Sequence, residues 1–354
     1  MLRIFAFVIV FNSALAATLL AIPIARYLSF RFGVTSVPGG RRQERVAMPK
    51  LGGMVIFLGF MVGIIVAQFV AVERQDPNEI TRLIGLVAGG AVVFLLGLID
   101  DILDLNYIQI FIGQAVASGI AIGFQIFIEF FNNPLTGSQT DPWSPVITVA
   151  LTLFWLILMM NTVNLLDGSD GLAGGIGLIA GAMLFLNSAV RLAPPQTSVS
   201  LLPLALTGAL LGFLIYNFYP ARIYMGGSAW FLGYALGTLS IIGGAKMATI
   251  LLVMGLPLMD LGWQMFNRLR SGNNPFRGDR GHLHFRLQDS GLMTPRQIAL
   301  SYYAICALFG FLTLVTTSQM FKFIAFAVML ICIAIGFAVV GRISALDEDY
   351  SSSL

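Results

Sequence analysis

Charge, histidine and cysteine are all scarce in this sequence. Only 10% of its 354 residues are charged, whereas 57% are hydrophobic and the mean hydropathy is +0.87. Soluble globular proteins carry roughly 25% charged residues, so the composition excludes that class. Cys306 and Cys332 fall within apolar runs, where packing is expected rather than a disulfide framework. His282 and His284 have no cysteine or third histidine beside them, which argues against a zinc site.

Long apolar runs dominate the chain, and each of about 20 residues can cross about 30 Å of hydrocarbon. We predict an all-α, polytopic integral membrane protein of about 10–11 transmembrane helices, forming a single membrane-embedded domain over residues 1–354. Arg3 and the segment 14–16 resemble a signal peptide, but the apolar character continues to Ile24, which favours an uncleaved first helix. Because the break between two of the runs, at 243–246, is short, the sequence does not decide between ten and eleven transmembrane helices. The runs are 4–27, 51–72, 82–99, 108–130, 145–162, 171–191, 199–218, 229–244, 247–264, 297–317 and 321–341.

Basic residues are divided unequally between the two sets of loops. The loops after odd-numbered runs hold all but six of the 20 lysines and arginines, the six being Arg3, Arg74, Arg82, Arg191, Lys246 and Lys322. The positive-inside rule therefore predicts that the odd-numbered loops and the C-terminus face the cytoplasm of a plasma (inner) membrane. Binding of anionic lipid head groups is the simplest role for the two richest loops, 26–50 and 265–296.

Three acidic clusters each lie where an apolar run ends, on the predicted cytoplasmic side. The first is GLIDDILDLN (97–106), with Asp100, Asp101 and Asp104. Adjacent carboxylates repel each other, so either a cation lies between them or one keeps its proton. An acidic helix C-terminus also opposes the helix dipole, which makes a merely solvated helix end the weaker interpretation. A metal anchor or a general base would account for the cluster.

The second cluster is NTVNLLDGSDGLAGG (161–175). Asn161 and Asn164 are three residues apart, as are Asp167 and Asp170, so each pair faces one direction on a helical turn. Amide and carboxylate oxygens are ligands that Mg²⁺ prefers. Helix capping would explain one carboxylate, but not four polar groups in ten residues. The pattern therefore indicates a site for a metal or a polar ligand.

The third cluster surrounds Asp279 in NPFRGDRGHLHFRL (274–287), within the longest predicted cytoplasmic loop. His282 and His284 alternate, so an extended segment would point both to one side. Phosphate binding is the favoured interpretation, and a surface loop with incidental histidines is the alternative. Three arginines offer forked donors suited to phosphate: Arg277, Arg280 and Arg286.

These motifs, in this order, resemble the polyprenyl-phosphate N-acetylhexosamine-1-phosphate transferase family (glycosyltransferase family 4), membrane enzymes that start bacterial cell-envelope glycan assembly. The resemblance extends from PKLGGMVIF (49–57) to Leu287. The HLHFRL loop is similar to the undecaprenyl-phosphate GlcNAc-1-phosphate transferase branch, which initiates teichoic acid and lipopolysaccharide O-antigen-type polymers. It is less similar to the phospho-N-acetylmuramoyl-pentapeptide branch, whose loop carries three consecutive histidines.

The resemblance implies that undecaprenyl phosphate attacks the sugar-linked phosphorus of a UDP-N-acetylhexosamine, with UDP-GlcNAc as the expected donor and UMP as the leaving group. Mg²⁺, or Mn²⁺ in its place, would neutralise the charge that develops on UMP. The active site would be formed by the loops 26–50, 99–107, 161–171, 219–228 and 265–296. The resemblance also implies a protein embedded in the lipid bilayer that has no nucleic acid partner. It leaves open whether the protein forms a homodimer.

The resemblance also implies a role for individual residues. Asp100 corresponds to a base or an orienter of the lipid phosphate, and Asp101 to its catalytic partner near the metal. The implied metal ligands are Asn164 and Asp170. The implied substrate-binding residues are Arg45, Lys50, Asn161, Asp167, Arg280, His282 and His284.

One position departs from the family pattern. Where the family has Met-Gly-Asp-x-Gly-Ser with a metal-binding Asp, residues 225–230 read MGGSAW, so Gly227 replaces the Asp and Trp230 replaces a small residue. Either water or another carboxylate completes the metal shell, or the chain is a catalytically impaired family member. The departure predicts that Gly227→Asp, alone or with Trp230→Ser, raises transferase activity.

A membrane transporter, with the acidic clusters as ion sites, is the alternative from a different class. The clusters lie at the ends of apolar runs rather than at their centres, and no inverted repeat is visible in the sequence, so this alternative is disfavoured. A transport assay beside a UDP-sugar transfer assay would separate the two.

Overall fold

The computed structural model of the chain describes residues 2–36, 47–191, 195–242, 247–272, 280–316 and 318–352. This part is almost entirely helical, with one two-stranded antiparallel ribbon in which β1 (Thr35–Ser36) pairs with β2 (Met48–Pro49). The helices are α1 (Leu2–Arg31), α2 (Gly52–Phe69), α3 (Glu79–Leu103), α4 (Tyr107–Gly123), α5 (Pro145–Leu166), α6 (Leu172–Leu186), α7 (Thr197–Asn217), α8 (Ala229–Ile241), α9 (Met247–Val253), α10 (Gly255–Arg270), α11 (Leu283–Asp289), α12 (Pro295–Val315) and α13 (Gln319–Ser352). A π-helical turn, Asn187–Arg191, extends α6.

The predicted all-α, polytopic class is confirmed. Eight of the described helices are long and apolar enough to cross a membrane, and α9 with α10 forms a ninth candidate that is bent by 70°. All eleven predicted apolar runs contain a helix or this bent pair. Within the described residues, the eight or nine spanning candidates are fewer than the 10–11 transmembrane helices predicted. Two runs hold shorter helices, because α4 ends at Gly123 after 17 residues and α8 has only 13. These two helices are shorter than the roughly 20 residues that a full crossing requires.

The inner helices α7 and α8 explain why some segments are apolar on every side. α7 packs against α1, α2 and α6, while α8 packs against α3 and α5. Every residue of α8 from Ala229 to Ser240 is buried. A helix that is apolar all round is expected to be enclosed by others, so the two helices form the centre around which the rest are arranged.

Small residues let α1 and α2 approach each other closely. Gly59 and Gly63, one turn apart on α2, face Thr18 and Ala14 of α1, and a Cβ atom at either glycine would overlap those side chains. This is the small-xxx-small pattern of close helix contacts in membranes. The outer surface carries many exposed large apolar side chains, as on α1, α4 and α13, which is the surface that lipid tails would cover.

The first two sequence motifs and the described part of the third, residues 280–287, lie at one end of the helix bundle, which we call the motif end. Arg277 and Asp279 of the third motif lie outside the described residues. α3 and α5 end there, α6 and α8 begin there, and α11 lies beside them, as the contacts described in the next subsection show. Because α3 ends and α6 begins at the motif end, the start of α3 and the end of α6 lie at the opposite end. The start of α13 lies there too, since Arg191 at the end of α6 donates to the carbonyl oxygen of Thr316 just before α13.

Candidate active site

The first acidic motif closes the last turn of α3. The carboxylate of Asp100 accepts a hydrogen bond from the backbone N–H of Leu105 at 3.0 Å, and the backbone of Asp104 turns left-handed with φ 49° to end the helix. Asp100 and Asp101 are half-buried, whereas Asp104 is exposed. Two partly desolvated carboxylates at a helix C-terminus oppose the dipole, so they need a positive partner from elsewhere in the fold.

Lys50 supplies a positive charge to this pair. It follows β2, and the backbone of this segment hydrogen-bonds to the loop before α8: the N–H of Tyr224 donates to Pro49 O at 2.8 Å and the N–H of Gly52 donates to Tyr224 O at 2.8 Å. This backbone pairing brings Lys50 within electrostatic range of both Asp100 and Asp101. Lys50 was predicted to bind substrate, and the structure places it with the acidic pair. Arg45, predicted for the same role, lies outside the described residues.

A glycine turn holds the carboxylate of Asp101. Gly226 has φ 74°, a left-handed conformation that a side chain disfavours. A Cβ atom at Gly226 would lie 2.5 Å from Asp101 Oδ2, and the N–H of Gly227 donates to that same oxygen at 2.9 Å. The turn before α8 therefore leaves room for the Asp101 carboxylate and fixes one of its oxygens.

The second motif reaches Asp101 through Asp167. Asp167 ends α5, is buried, and lies within electrostatic range of Asp101. Asp170 points its Oδ2 towards the N–H of Ala221, which donates at 3.0 Å. The half-buried Asn161 donates its side-chain amide to Gln114 Oε1 of α4 at 2.9 Å and to a carbonyl of its own helix. The amide oxygen is thus the part of Asn161 that substrate could use.

Asn164 lies one turn after Asn161 on the same helix, and both are half-buried between buried neighbours. This placement agrees with the spacing argument that set the two amides on one face. The roles of Asn164 and Asp170 as metal ligands remain predictions.

The two histidines of the third motif face one buried carboxylate. Asp260 of α10 is fully buried, and its Oδ2 lies 3.5 Å from His282 Nδ1 and 3.8 Å from His284 Nδ1. Its other oxygen accepts the backbone N–H of Leu283 at 3.0 Å. The predicted extended segment is present only at His282, whose ψ is 147°, because α11 begins at the next residue. Asp260 thus holds both rings and the start of α11 together.

The second and third motifs meet at Gly168. A Cβ atom built there would lie 3.3 Å from His284 Nε2 and 2.5 Å from Phe285 Cζ. Arg280 stacks over the ring of Phe285, with its guanidinium carbon 4.5 Å from the ring centre, and pairs with Asp289 at 2.6 Å. Asp101 and Asp167 lie within electrostatic range of each other, and Gly168 packs against His284 and Phe285, so the described parts of the three motifs lie in one site.

Two functional-site residues were missed in the sequence. Asp260 stands inside an apolar run, and an ionisable group there is a functional candidate by itself, so its position in the sequence carried a usable signal. Gln264, one turn later on α10, donates its amide to the carbonyl oxygen of Gly281 and anchors the histidine segment. Nothing in the sequence pattern linked Gln264 to that segment.

The acidic residues fit a metal that substrate helps to hold. Within the described ranges, no group of three or more His, Cys, Asp or Glu side chains is placed to hold a metal ion by itself. Asp101 and Asp167 are nevertheless two partly or fully buried carboxylates within electrostatic range of each other. Mg²⁺ is usually held by one or two carboxylates together with waters and substrate phosphates. These two residues therefore fit a Mg²⁺ ion bound with a diphosphate.

Gly227 has no room for a side chain. A Cβ atom there would lie 2.5 Å from the carbonyl oxygen of Gly97, and a Cβ atom at Gly97 would lie 2.5 Å from the backbone of Gly227. The backbones of α3 and the turn before α8 are thus in direct contact. Trp230, which replaces a small residue of the family pattern, is a buried core residue of α8. The structure therefore revises the expectation that adding an Asp raises activity.

We now expect Gly227→Asp to lower both stability and activity. Forcing a side chain between two backbones should reduce the free energy of unfolding by about 1–3 kcal/mol and displace the Asp101 carboxylate that Gly227 holds. Thermal unfolding and transferase assays would measure both losses. Gly262→Asp is the matched control, because a Cβ atom at Gly262 meets nothing within 4 Å. A gain of turnover in Gly227→Asp would show that the two backbones separate and that the wild type lacks a carboxylate.

Adding Trp230→Ser to Gly227→Asp would make the result harder to interpret. Removing a buried aromatic ring typically costs about 3–5 kcal/mol, so the double change would combine a collision with a cavity. The single change and its control are the better pair.

Comparison with known proteins places this site in a family. Residues 83–244 match the model of glycosyl transferase family 4, a segment that contains the first two motifs and the turn at Gly227. The "Probable undecaprenyl-phosphate N-acetylglucosaminyl 1-phosphate transferase" of Bacillus subtilis is 28% identical over 324 residues, which cover 89% of this chain and 86% of the relative.

Two further relatives have similar coverage. The "Decaprenyl-phosphate N-acetylglucosaminephosphotransferase" of Mycolicibacterium smegmatis is 30% identical, over 78% of this chain and 74% of the relative. The "Phospho-N-acetylmuramoyl-pentapeptide-transferase" of Listeria monocytogenes is 28% identical, over 84% of this chain and 93% of the relative. With these relatives, and with eight helices of spanning length, the chain belongs to glycosyl transferase family 4, the polyprenyl-phosphate N-acetylhexosamine-1-phosphate transferases, and is a multi-pass membrane protein.

Proposed function

We propose that this protein transfers GlcNAc-1-phosphate from UDP-GlcNAc to undecaprenyl phosphate, releases UMP and thereby initiates a cell-envelope glycan of the teichoic acid or O-antigen type. The observation that carries this proposal is the single site at the motif end, where Lys50, Asp101, Asp167 and His284 are linked by the contacts described above. Relatives named for GlcNAc-phosphate transfer support the donor, and the His282-Leu-His284 segment supports it against the muramoyl-pentapeptide donor.

In the proposed reaction an oxygen of the lipid phosphate attacks the sugar-linked phosphorus, and the bond from that phosphorus to the UMP oxygen breaks. Lys50 would attract the anionic lipid phosphate towards Asp100, which would orient it or accept its proton. His282, His284 and Arg280 would bind the diphosphate or the sugar nucleotide, with Asp260 holding the two rings. A Mg²⁺ ion, when bound, would neutralise charge on the diphosphate. Asp101 and Asp167, together with the predicted ligands Asn164 and Asp170, are the residues that would hold it.

We propose further that the motif end faces the cytoplasm of the plasma membrane. Fourteen of the 20 basic residues belong to the loops assigned to this side, against six for the other side. UDP-sugars are cytosolic, so this orientation gives the donor access to the site.

Purified full-length protein, incubated with radiolabelled undecaprenyl phosphate and a panel of UDP-sugars, tests the proposal. UDP-GlcNAc should give a labelled lipid diphosphate sugar and UMP in equal amounts. Chelation of divalent metal should abolish the product, and Mg²⁺ or Mn²⁺ should restore it. Exclusive use of the UDP-N-acetylmuramoyl-pentapeptide donor would overturn the donor assignment.

Catalytic impairment is the second candidate, and the absence of a carboxylate at Gly227 is the observation that favours it. An impaired protein would bind UDP-GlcNAc with a measurable Kd but give no product with any UDP-sugar. The same protein sample, examined by calorimetric binding and by the transfer assay, distinguishes the two candidates.

A further inference from the structure

Two cationic side chains lie together at the end of the bundle opposite the active site. Arg191 ends the π-helical turn that extends α6, and Lys322 lies in the first turn of α13. Lys322 is only 6% exposed and Arg191 is half-buried. The two groups are close enough for their charges to interact. α12, which runs from near the motif end to this end, has 21 residues and hence a length of about 30 Å, so this pair is separate from the active site.

Within the described part of the chain, neither charge has a counter-ion. Among the described residues, no carboxylate pairs with Arg191 or Lys322; the only polar contact of either side chain is a 2.5 Å hydrogen bond from Arg191 Nη2 to Thr316 O, and Arg191 Nε is buried without a partner. The described residues of the adjoining segments 187–191, 247–249 and 313–316 include no Asp or Glu.

Two other arginines at the same end, Arg74 and Arg82, are paired. Arg82 lies 2.5 Å from Asp76, and Arg74 Nε lies 3.8 Å from Glu79 Oε1. The unbalanced charge at Arg191 and Lys322 is therefore local and is not a general property of this end of the bundle.

A desolvated cation without a counter-ion is costly, and two neighbouring cations add repulsion. A bound anion would remove both costs. The guanidinium fork suits phosphate oxygens, and α13 begins beside the pair, so the positive end of its helix dipole adds to the potential. The adjacent surface is apolar, since Val190 is 72%, Val315 68% and Phe323 55% exposed. A ligand with both a phosphate and hydrocarbon chains would complement the charges and this surface.

We propose that Arg191 and Lys322 form a binding site for a phosphate group that an anionic phospholipid of the adjacent leaflet supplies. The lipid phosphate lies between the two cations, and its acyl chains cover the apolar surface around Val190, Val315 and Phe323. Because the site is distant from the motif end, it holds a structural lipid and is independent of the proposed transfer reaction.

Native mass spectrometry of the delipidated full-length protein in neutral detergent tests this site. Titration with phosphatidylglycerol should show one bound lipid whose affinity falls about tenfold in Arg191→Gln and in Lys322→Met, the factor that one charge-assisted hydrogen bond typically contributes. Phosphatidylcholine with the same acyl chains should bind the wild type and both variants equally. Lys322→Arg keeps the charge and should keep the affinity.

Arg82→Gln is the matched control, because it removes a cation at the same end whose charge Asp76 already balances. Equal phosphatidylglycerol affinity in the wild type, Arg191→Gln and Lys322→Met would overturn the proposal, as would an equal loss in Arg82→Gln. Full displacement of the lipid by millimolar inorganic phosphate would assign the site to free phosphate and overturn the lipid as its source. Thermal unfolding of each variant shows whether it is folded, and Lys322→Arg keeps the test decisive if Lys322→Met does not fold.

Discussion

Asp101→Asn is expected to reduce kcat/KM for lipid-phosphate transfer by about 10³-fold, the scale typical of removing one preorganised charged contact at a reacting phosphate. Asn keeps the size of the side chain and the oxygen that accepts the N–H of Gly227, so the local fold should survive. Asp101 interacts electrostatically with the carboxylate of Asp167 and with the positive charge of Lys50. The change removes the charge of Asp101 from this group. Metal-dependent transfer of label from UDP-GlcNAc to undecaprenyl phosphate measures the loss.

Asp104→Asn is the matched control for this prediction. Asp104 lies three residues further along the same motif, but it is exposed and left-handed at φ 49°, a conformation that Asn tolerates well. It should keep both activity and stability close to the wild type. If Asp101→Asn retained full activity while Asp104→Asn lost it, the site would have to be centred on the exposed side of the helix end.

The sequence predicted the helices and the motifs because both depend on local patterns. Apolar runs of about 20 residues mark helices whatever their neighbours are, and all eleven contain a helix or the bent pair. The repulsion between Asp100 and Asp101 and the three-residue spacing in 161–175 are likewise local properties. We predicted that the motifs form one site because all of them fall on the same predicted side of the membrane. The electrostatic interaction between Asp101 and Asp167 agrees with that prediction.

The remaining features depend on contacts between distant segments. The position of Gly227 was interpreted as a missing ligand, because the sequence could not show that Gly97 of α3 presses against it. The bend of 70° between α9 and α10 and the 13-residue length of α8 were not predicted from the apolar runs. Asp260 could have been found from the sequence as a lone carboxylate in an apolar run, but its partnership with two histidines about 20 residues later could not.

The position of Asp260 beside both histidines leads to the second large predicted loss of activity. Asp260→Asn is expected to lower kcat/KM by about 10²–10³-fold, in the range seen when a buried carboxylate that orients a functional histidine is removed. Its Oδ2 faces the Nδ1 atoms of both His282 and His284, while its Oδ1 accepts the N–H of Leu283. An amide has only one oxygen, so Asn cannot accept the N–H of Leu283 and also present an acceptor to the two rings. Because the rings would act as one unit with Asp260, the loss in Asp260→Asn/His282→Ala should be much smaller than the product of the two single losses.

Glu79→Gln separates this role from simple loss of a buried charge. Glu79 is also a buried carboxylate, but it lies at the opposite end of the bundle, where it accepts the hydroxyl of Ser198 at 2.7 Å. Its replacement should reduce the free energy of unfolding by about 1–2 kcal/mol and leave kcat/KM for UDP-GlcNAc close to the wild-type value. Asp260→Asn should lose activity far beyond its loss of stability, because both histidines would lose the carboxylate that orients them. If the two variants lost stability and activity in the same proportion, or if Asp260 and His282 gave multiplicative losses, Asp260 would be a structural residue without a part in the site.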